Sequence, residues 1–445
     1  MKKTLTLLLL ASALNVPAQE KEPKNQIDLD LNMLGRGEMR FGGLITPENI
    51  GNTDAKNNAR FLMERTRLSL GYKRTYLEVK VTAQHSGVWG EKSKGDFNLY
   101  EAWAKLNTRN GLFAQFGRQI LSYDDERVIG ANDWAMLPIS HDVLKLGYEG
   151  YGHKVHAILG FNQNGVNVSG TDYFDGSQPY KSMQTLWYHY DVPKIPIGVS
   201  LLFMNLGMQA GDNEMPEDEY NVFKTEYQQM AGAYVSFSPK HWQIEASYYR
   251  QMGKTIESTS KKGIEIDAWM ASIKAQYQAT KKIGLFMGYD YLSGDDYFVV
   301  RSGGGFGLVQ HKAIKYFNPV YGSNHKFYGM MDFFYVQAFG DTFSPGLQNL
   351  YAGVAYAPVK DLSIKATYHY LAMATDLDGM NKTLGHDVDF EATYRILNDV
   401  SVSLSFSYMA GSGSMKRLRR VETDNDLKWA WLSLSVSPRV ISKKW

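Results

Sequence analysis

The chain has 445 residues, no cysteine, and 48 lysines plus arginines against 46 aspartates plus glutamates. Without cysteine there is no disulfide framework, thiolate catalysis or cysteine-based zinc site. No run of about twenty apolar residues supplies a membrane helix, yet tyrosine is abundant, with 29 residues beside 21 phenylalanines and 9 tryptophans.

Lys2 and Lys3, the apolar stretch from Leu5 to Leu14 and the small-residue site Val16-Pro17-Ala18 form a secretory signal, so residues 1–18 are set aside. The remainder is charge-balanced and carries no global field for nucleic acid or anionic lipid. Residues 19–31 read as a short periplasmic segment, too short for a plug domain, with strand signals starting near Asn32.

From there to residue 445 the dominant pattern has period two, which puts alternate side chains on opposite faces of a strand. Leu77, Val79, Val81 and Ala83 oppose Glu78, Lys80, Thr82 and Gln84; Val402, Leu404, Phe406 and Tyr408 oppose four serines. Short turns recur near Lys73-Arg74, Arg109-Asn110, Gly150-Tyr151-Gly152, Pro193-Lys194, Ser238-Pro239-Lys240, Thr280-Lys281, Pro358-Val359-Lys360 and Leu397-Asn398. They alternate with longer polar segments around 44–58, 90–96, 123–139, 164–179, 208–224, 253–262, 293–346, 374–382 and 411–426. Eight turns and nine loops in alternation connect eighteen strands. An even strand number with short turns at one end and long loops at the other predicts an all-β, antiparallel transmembrane barrel in the outer membrane of a Gram-negative bacterium. Tilted strands of about 9–11 residues leave ample chain for the loops. A soluble sandwich is the alternative.

Tyrosine and tryptophan suit the lipid–water boundary, and Tyr72, Tyr100, Trp103, Tyr123, Tyr234, Trp242, Tyr356, Tyr394, Trp429 and Trp431 stand near expected strand ends. Pro438, Lys443 and Lys444 disturb the alternation of the last strand. The polar faces should line an aqueous lumen. The inward set expected from alternation is Arg65, Arg67, Glu78, Lys80, Glu101, Lys105, Lys145, Lys274, Lys365, Asp387, Asp389, Glu391 and Arg395. Rings of such charge set selectivity, and mutual ion pairing is the alternative use of the same residues. Segment 293–346 is long and aromatic; it is expected to fold over or into the mouth as a gate carrying His325, Tyr328 and Asp332, against the alternative of a surface hairpin. The acidic runs Asp124-Asp125-Glu126 and Glu217-Asp218-Glu219 offer oxygen ligands to a structural calcium ion, against plain solvated charge. No other cofactor is expected, and no hydrolase, metalloprotease, P-loop or dinucleotide motif occurs in its required context, so an enzyme is not expected.

Gly117-Arg118-Gln119, Leu121, Tyr123, Asp125, Arg127 and Gly130, followed by Trp134 and Asp142, resemble the most recognisable stretch of the alginate export family of outer-membrane barrels. Asn324 to Gly329 with Asp332 and Phe333, Phe61 to Leu70, and Leu384 to Asp389 agree with it. The resemblance implies a monomeric eighteen-stranded barrel whose arginine-rich constriction passes an anionic polysaccharide. It implies that Arg67, Arg118, Arg127 and Asp142 contribute to that constriction. Where family members often carry arginine before the aspartate, this chain has His141, which implies a weaker positive field and leaves room for other acidic oligosaccharides or for a general uptake porin. A surface sugar-binding barrel with a blocked lumen is the remaining alternative. Expected partners are outer-membrane lipid and lipopolysaccharide, an anionic saccharide solute and a periplasmic protein.

Overall fold

A computed structural model describes residues 25–42, 58–163, 166, 180–209, 225–256, 263–296, 313–334, 344–377, 379–419 and 426–445. The signal segment, Glu217-Asp218-Glu219, Gly303 to Gly305 and Tyr335 lie outside the described residues.

Alternation becomes a meander. The strands are β1 (Gln26–Phe41), β2 (Ala59–Arg74), β3 (Leu77–Val88), β4 (Asp96–Asn107), β5 (Leu112–Gln119) and β6 (His141–Gly150). Next come β7 (His153–Phe161), β8 (Ser182–Asp191), β9 (Ile197–Gln209), β10 (Thr225–Phe237), β11 (Trp242–Ile256) and β12 (Gly263–Gln278). The last six are β13 (Ile283–Leu292), β14 (Leu347–Val359), β15 (Leu362–Ala372), β16 (Thr383–Leu397), β17 (Val400–Gly411) and β18 (Leu427–Val436, continued as Arg439–Lys444). Each pairs antiparallel with its sequence neighbours, and β18 closes on β1 through Met33↔Val436 to Phe41↔Lys428. Closure leaves no open edge. A seven-residue helix, α1 (Gly413–Arg419), lies between β17 and β18.

Two boundaries differ from expectation. β1 starts at Gln26 rather than near Asn32, because Asp28 and Asp30 hydrogen-bond Ser442 and Arg439 of the returning last strand. Pro438 does interrupt β18, but the strand resumes after a register shift opposite Asp30, so Trp445 and Asn25 still exchange backbone hydrogen bonds.

The outer face is apolar, as lipid contact requires: Leu68 and Leu70 of β2, Leu404 and Phe406 of β17, and Leu432 and Leu434 of β18 are all exposed. The inner face is not uniformly polar. Ile158, Met183, Leu202, Met204, Met230, Ile266 and Met270, on β7 to β12, point inward and are buried. The expected open aqueous lumen is therefore replaced, in its loop-side half, by a packed core that needs a partner. Methionine, with its flexible thioether, suits such an irregular interior surface.

Strand length shows where that partner enters. β5 has eight residues against sixteen in β2 and β12. At about 3.4 Å per residue and a tilt near 40°, β5 rises only about 20 Å, less than the ~25 Å apolar band of such barrels. The wall is low there, and the chain after Gln119 turns into the lumen, burying Leu121, Tyr123, Val128 and Ile129 against the inward apolar residues.

Candidate functional site

Two loops meet inside the barrel. Segment 120–140, between β5 and β6, pairs with segment 313–334, between β13 and β14, in a small parallel bridge at Ile129 and Tyr321. Gly130 donates to the Tyr321 carbonyl at 2.8 Å, Tyr321 to that of Val128 at 3.1 Å, and Ser323 to that of Glu126 at 2.9 Å. Side chains reinforce the pairing. The Glu126 carboxylate accepts from Ser323 Oγ and Lys326 Nζ, and Trp134 stacks on His325 with centroids 3.6 Å apart. Six non-glycine residues of these loops have positive φ, among them Val320 at 52°. A β-branched residue there costs about 1–3 kcal/mol and persists only where packing over-determines it.

The arginines of β1 and β2 hold the first loop. Arg65 donates to the carbonyls of Asp133 and Ala135, both at 2.8 Å, and Arg36 to that of Trp134 at 3.0 Å. Arg67 reaches Asp133 Oδ1 at 2.5 Å and lies 3.9 Å above the Tyr100 ring. Arginine's planar fork, with several donors on one charge, fits a row of carbonyls better than an ammonium would.

Arg127 joins the loops to the opposite wall. Its guanidinium is buried, 3.1 Å from Asp125, 3.1 Å from Asp290 of β13 and 3.1 Å from Tyr328 Oη, with the Phe327 ring at 4.1 Å. Burial opposes its charge, but Asp290, Tyr328 and Asp125 outweigh burial and hold its pKa well above the ordinary arginine value. From Asp290 the contacts run to Asn349 Nδ2 (2.9 Å), then His369 (2.8 Å), then Asp389 (3.4 Å), whose carboxylate accepts the Met330 backbone N–H at 2.9 Å. Gly329 is required between these anchors. Its φ is 92°, and a Cβ there would lie 2.7 Å from Asp387 Oδ2. Asp387 and Asp389 thus seat the turn of the second loop.

These contacts sort the residues expected from sequence. Arg65, Arg67, Lys80, Glu101, Lys145, Asp387, Asp389 and Arg395 do face inward, but few are free: Lys80 sits 2.5 Å from Glu101, Arg65, Arg67, Asp387 and Asp389 meet the loops, Lys145 lies near the Phe113 ring, and Arg395 is exposed. His325, Tyr328 and Asp332 lie at the loop junction, with His325 Nδ1 3.0 Å from Asp332. Arg118 and Asp142 do not join them. They share the strand face of Phe116 and Leu144, point outward, and form a two-pronged pair at 2.7 and 2.9 Å on the barrel exterior. Arg118 also approaches the Leu99 carbonyl beside a bulge in β4, so the pair supports a wall irregularity rather than a constriction. His141, one residue earlier and therefore inward, packs on Tyr180 and Tyr321 in an aromatic core.

Tyr100, Trp103, Tyr123, Tyr234, Trp429 and Trp431 are also not boundary residues, because each points into the lumen. The acidic run 124–126 diverges: Asp124 accepts from Trp187 and Tyr249, Asp125 pairs with Arg127, and Glu126 with Lys326. Among the described residues no three metal-binding side chains converge. Sequence reading missed Arg36, Asp133, Asp290 and Asn349. Asp290 carries a readable signal, as the inward residue of Tyr289-Asp290-Tyr291; Asp133 carries none.

Beneath the second loop, between β11 and β16, lies a cavity of about 660 Å³. Its carboxylates are Asp124, Asp125, Glu245, Asp290, Asp389 and Glu391, facing the cations Arg127, Lys274, Lys326 and Lys365. It is polar, and it is not an electropositive tube.

The family model for alginate export matches residues 80–393. The chain belongs to the alginate export family. No protein of curated function matches it in sequence. Among solved structures it is similar to OpdO of Pseudomonas aeruginosa (14% identity, 93% of this chain and 98% of that one, TM-score 0.60). It is similar also to OccAB1 of Acinetobacter baumannii (11%, 93% and 97%, 0.59) and to P. aeruginosa OccK2 solved in complex with glucuronate (13%, 93% and 98%, 0.57). At such identities the likeness is one of fold. Family and fold together make the protein an outer-membrane barrel of the channel type.

Proposed function

We propose that the protein is a passive outer-membrane channel for small acidic saccharides, with the two inward loops as its constriction. The observation that carries this reading is the loop junction itself. It narrows a wide barrel to a polar cavity of about 660 Å³, within the ~300–1,000 Å³ typical of small-ligand sites. Such a passage suits a sugar unit or short oligosaccharide better than a charged polymer. Mixed charge at close quarters binds a solute well enough to admit it and loosely enough to release it. The glucuronate complex of a barrel with similar fold adds support for an acidic sugar.

Reconstitution tests the proposal. In liposome-swelling assays D-glucuronate should enter faster than alginate polymer, and planar bilayers should show discrete conductance steps. Assembled protein that gives no conductance at any salt concentration would overturn the channel reading. It would select a sugar-binding barrel with a closed lumen, which the packed core around Ile129 and Tyr321 also accommodates.

A further inference from the structure

The cavity wall contains a plate of aromatic rings built on glycine. On β13, a Cβ at Gly288 would lie 2.4 Å from Tyr351 Oη; on β14, one at Gly353 would lie 2.3 Å from the Phe286 ring. Each glycine therefore lets the ring of the adjacent strand lie down against the wall, as any side chain there would lift it. Phe286 and Tyr351 both face the cavity.

Charges flank the plate on both sides, at different heights along the strands. Lys274 of β12 stands opposite Gly288, and Lys365 of β15 is register partner to Ala355, two residues beyond Gly353. Both lysines line the cavity, and among the described residues neither has an ion-pair partner or hydrogen bond. Lys365 Nζ lies 5.5 Å from the Phe286 centroid. One strand further out on each side comes a carboxylate, Glu245 opposite Lys274 and Glu391 opposite Lys365. Around the wall the order is carboxylate, ammonium, ring pair, ammonium, carboxylate.

We propose that this is a subsite for one acidic sugar unit. The ring pair takes the apolar face of a pyranose, Lys274 on one side or Lys365 on the other takes its carboxylate, and Glu245 and Glu391 accept hydrogen bonds from its hydroxyls. The subsite rests on the channel reading for its role in transport, but its ligand chemistry follows from the wall alone. A second construction of the same kind shows the difference between open and closed. On β5 and β6, Phe113 lies over Gly147, yet Lys105 Nζ sits on that ring at 4.2 Å, with Lys145 at 5.9 Å, and the ring is buried. That plate is filled by its own lysine; the plate of β13 and β14 is open to the cavity.

The test is equilibrium titration of the whole barrel in detergent with D-glucuronate and, as a neutral control, D-glucose. Assembly of each variant is checked by heat-modifiable gel mobility. The double change Lys274→Gln, Lys365→Gln should weaken glucuronate binding about tenfold, the effect of losing charge-assisted hydrogen bonds, and leave glucose unchanged. Phe286→Ala, which removes one ring of the plate, should weaken both sugars, and Lys105→Gln neither. An assembled double variant that binds glucuronate like the wild type, or loses glucose equally, would overturn the subsite. A wild type that conducts but binds glucuronate no better than glucose would do the same and leave the channel standing. A wild type without conductance would sink the channel reading, while the titration would still decide the subsite.

Discussion

The two sides of the lumen use charge in opposite ways. On β1 to β3 the inward arginines and Lys80 have resident partners. Arg36 pairs with Glu38 at 2.8 Å, Arg65 and Arg67 hold Asp133, and Lys80 meets Glu101. On β11 to β16 the cavity keeps Lys274 and Lys365 unpaired beside two half-buried rings that line it. The arginine-rich side is thus a latch for a loop, and the lysine side leaves its charge unpaired on the cavity wall. An arginine count alone is a poor guide to an anion path, because buried arginine is stable only where carboxylates or carbonyls already meet it.

Breaking the latch at its centre should have the largest effect. Arg127→Ala leaves Asp290 buried without its countercharge, a loss of about 3–5 kcal/mol; the loops should detach, single-channel conductance should rise, and segment 120–140 should become open to protease. Gly329→Val comes next. Its φ of 92° and its approach to Asp387 make any Cβ strained, at about 1–3 kcal/mol, and flickering conductance should report a loosened second loop. Asp133→Asn should be milder. It removes the carboxylate from Arg65 and Arg67 while the Arg65 bonds to the Asp133 and Ala135 carbonyls remain, so the reversal potential should move toward anions with conductance nearly constant. No movement would mean that the arginine side is not neutralised by its loop.

Acid should loosen the junction more gently. Burial raises the Glu126 pKa, but Lys326, Ser122 and the Ala131 N–H outweigh burial and hold it below the ordinary glutamate value. Its tether is therefore complete above the unfolded pKa of about 4.3 and is lost as pH falls through the lowered folded value. Burial instead raises Asp124, so protonation of that group favours the packed state. Conductance of the wild type should rise on acidification below the ordinary glutamate range, and Glu126→Gln should remove that rise. The smallest effect belongs outside the barrel. Arg118→Gln breaks a pair on the outer wall and should leave the reversal potential unchanged.

Alternation was a reliable guide wherever a strand's own phase decided the outcome. It places Lys274, Lys365 and Glu391 inward, as the cavity shows, and it yields eighteen strands from turns and loops. The resemblance to a family motif misplaced Arg118 and Asp142, although the phase of Leu112, Ala114 and Phe116 puts Arg118 outside. Phase repeats every two residues and is local; a motif is silent about face. The loop junction was legible only in part. The aromatic content of segment 313–334 signals burial, but the partners of Arg127 and Arg65 come from distant strands and loops, and no local pattern encodes such pairings. The apolar inner face of β7 to β12 was readable in principle, since Met204, Met230 and Met270 share the inward phase. The assumption that a wide barrel must be water-filled concealed it.

The central claim is that segments 120–140 and 313–334 are paired inside the barrel. Because the chain has no cysteine, Ile129→Cys with Tyr321→Cys introduces one candidate disulfide at the bridged pair, where directly paired backbones approach closely enough for the bond. Mass spectrometry of the digested, assembled barrel should find the two loop peptides joined under oxidising conditions and separate after reduction. Two free thiols in a correctly assembled, oxidised barrel would contradict the account.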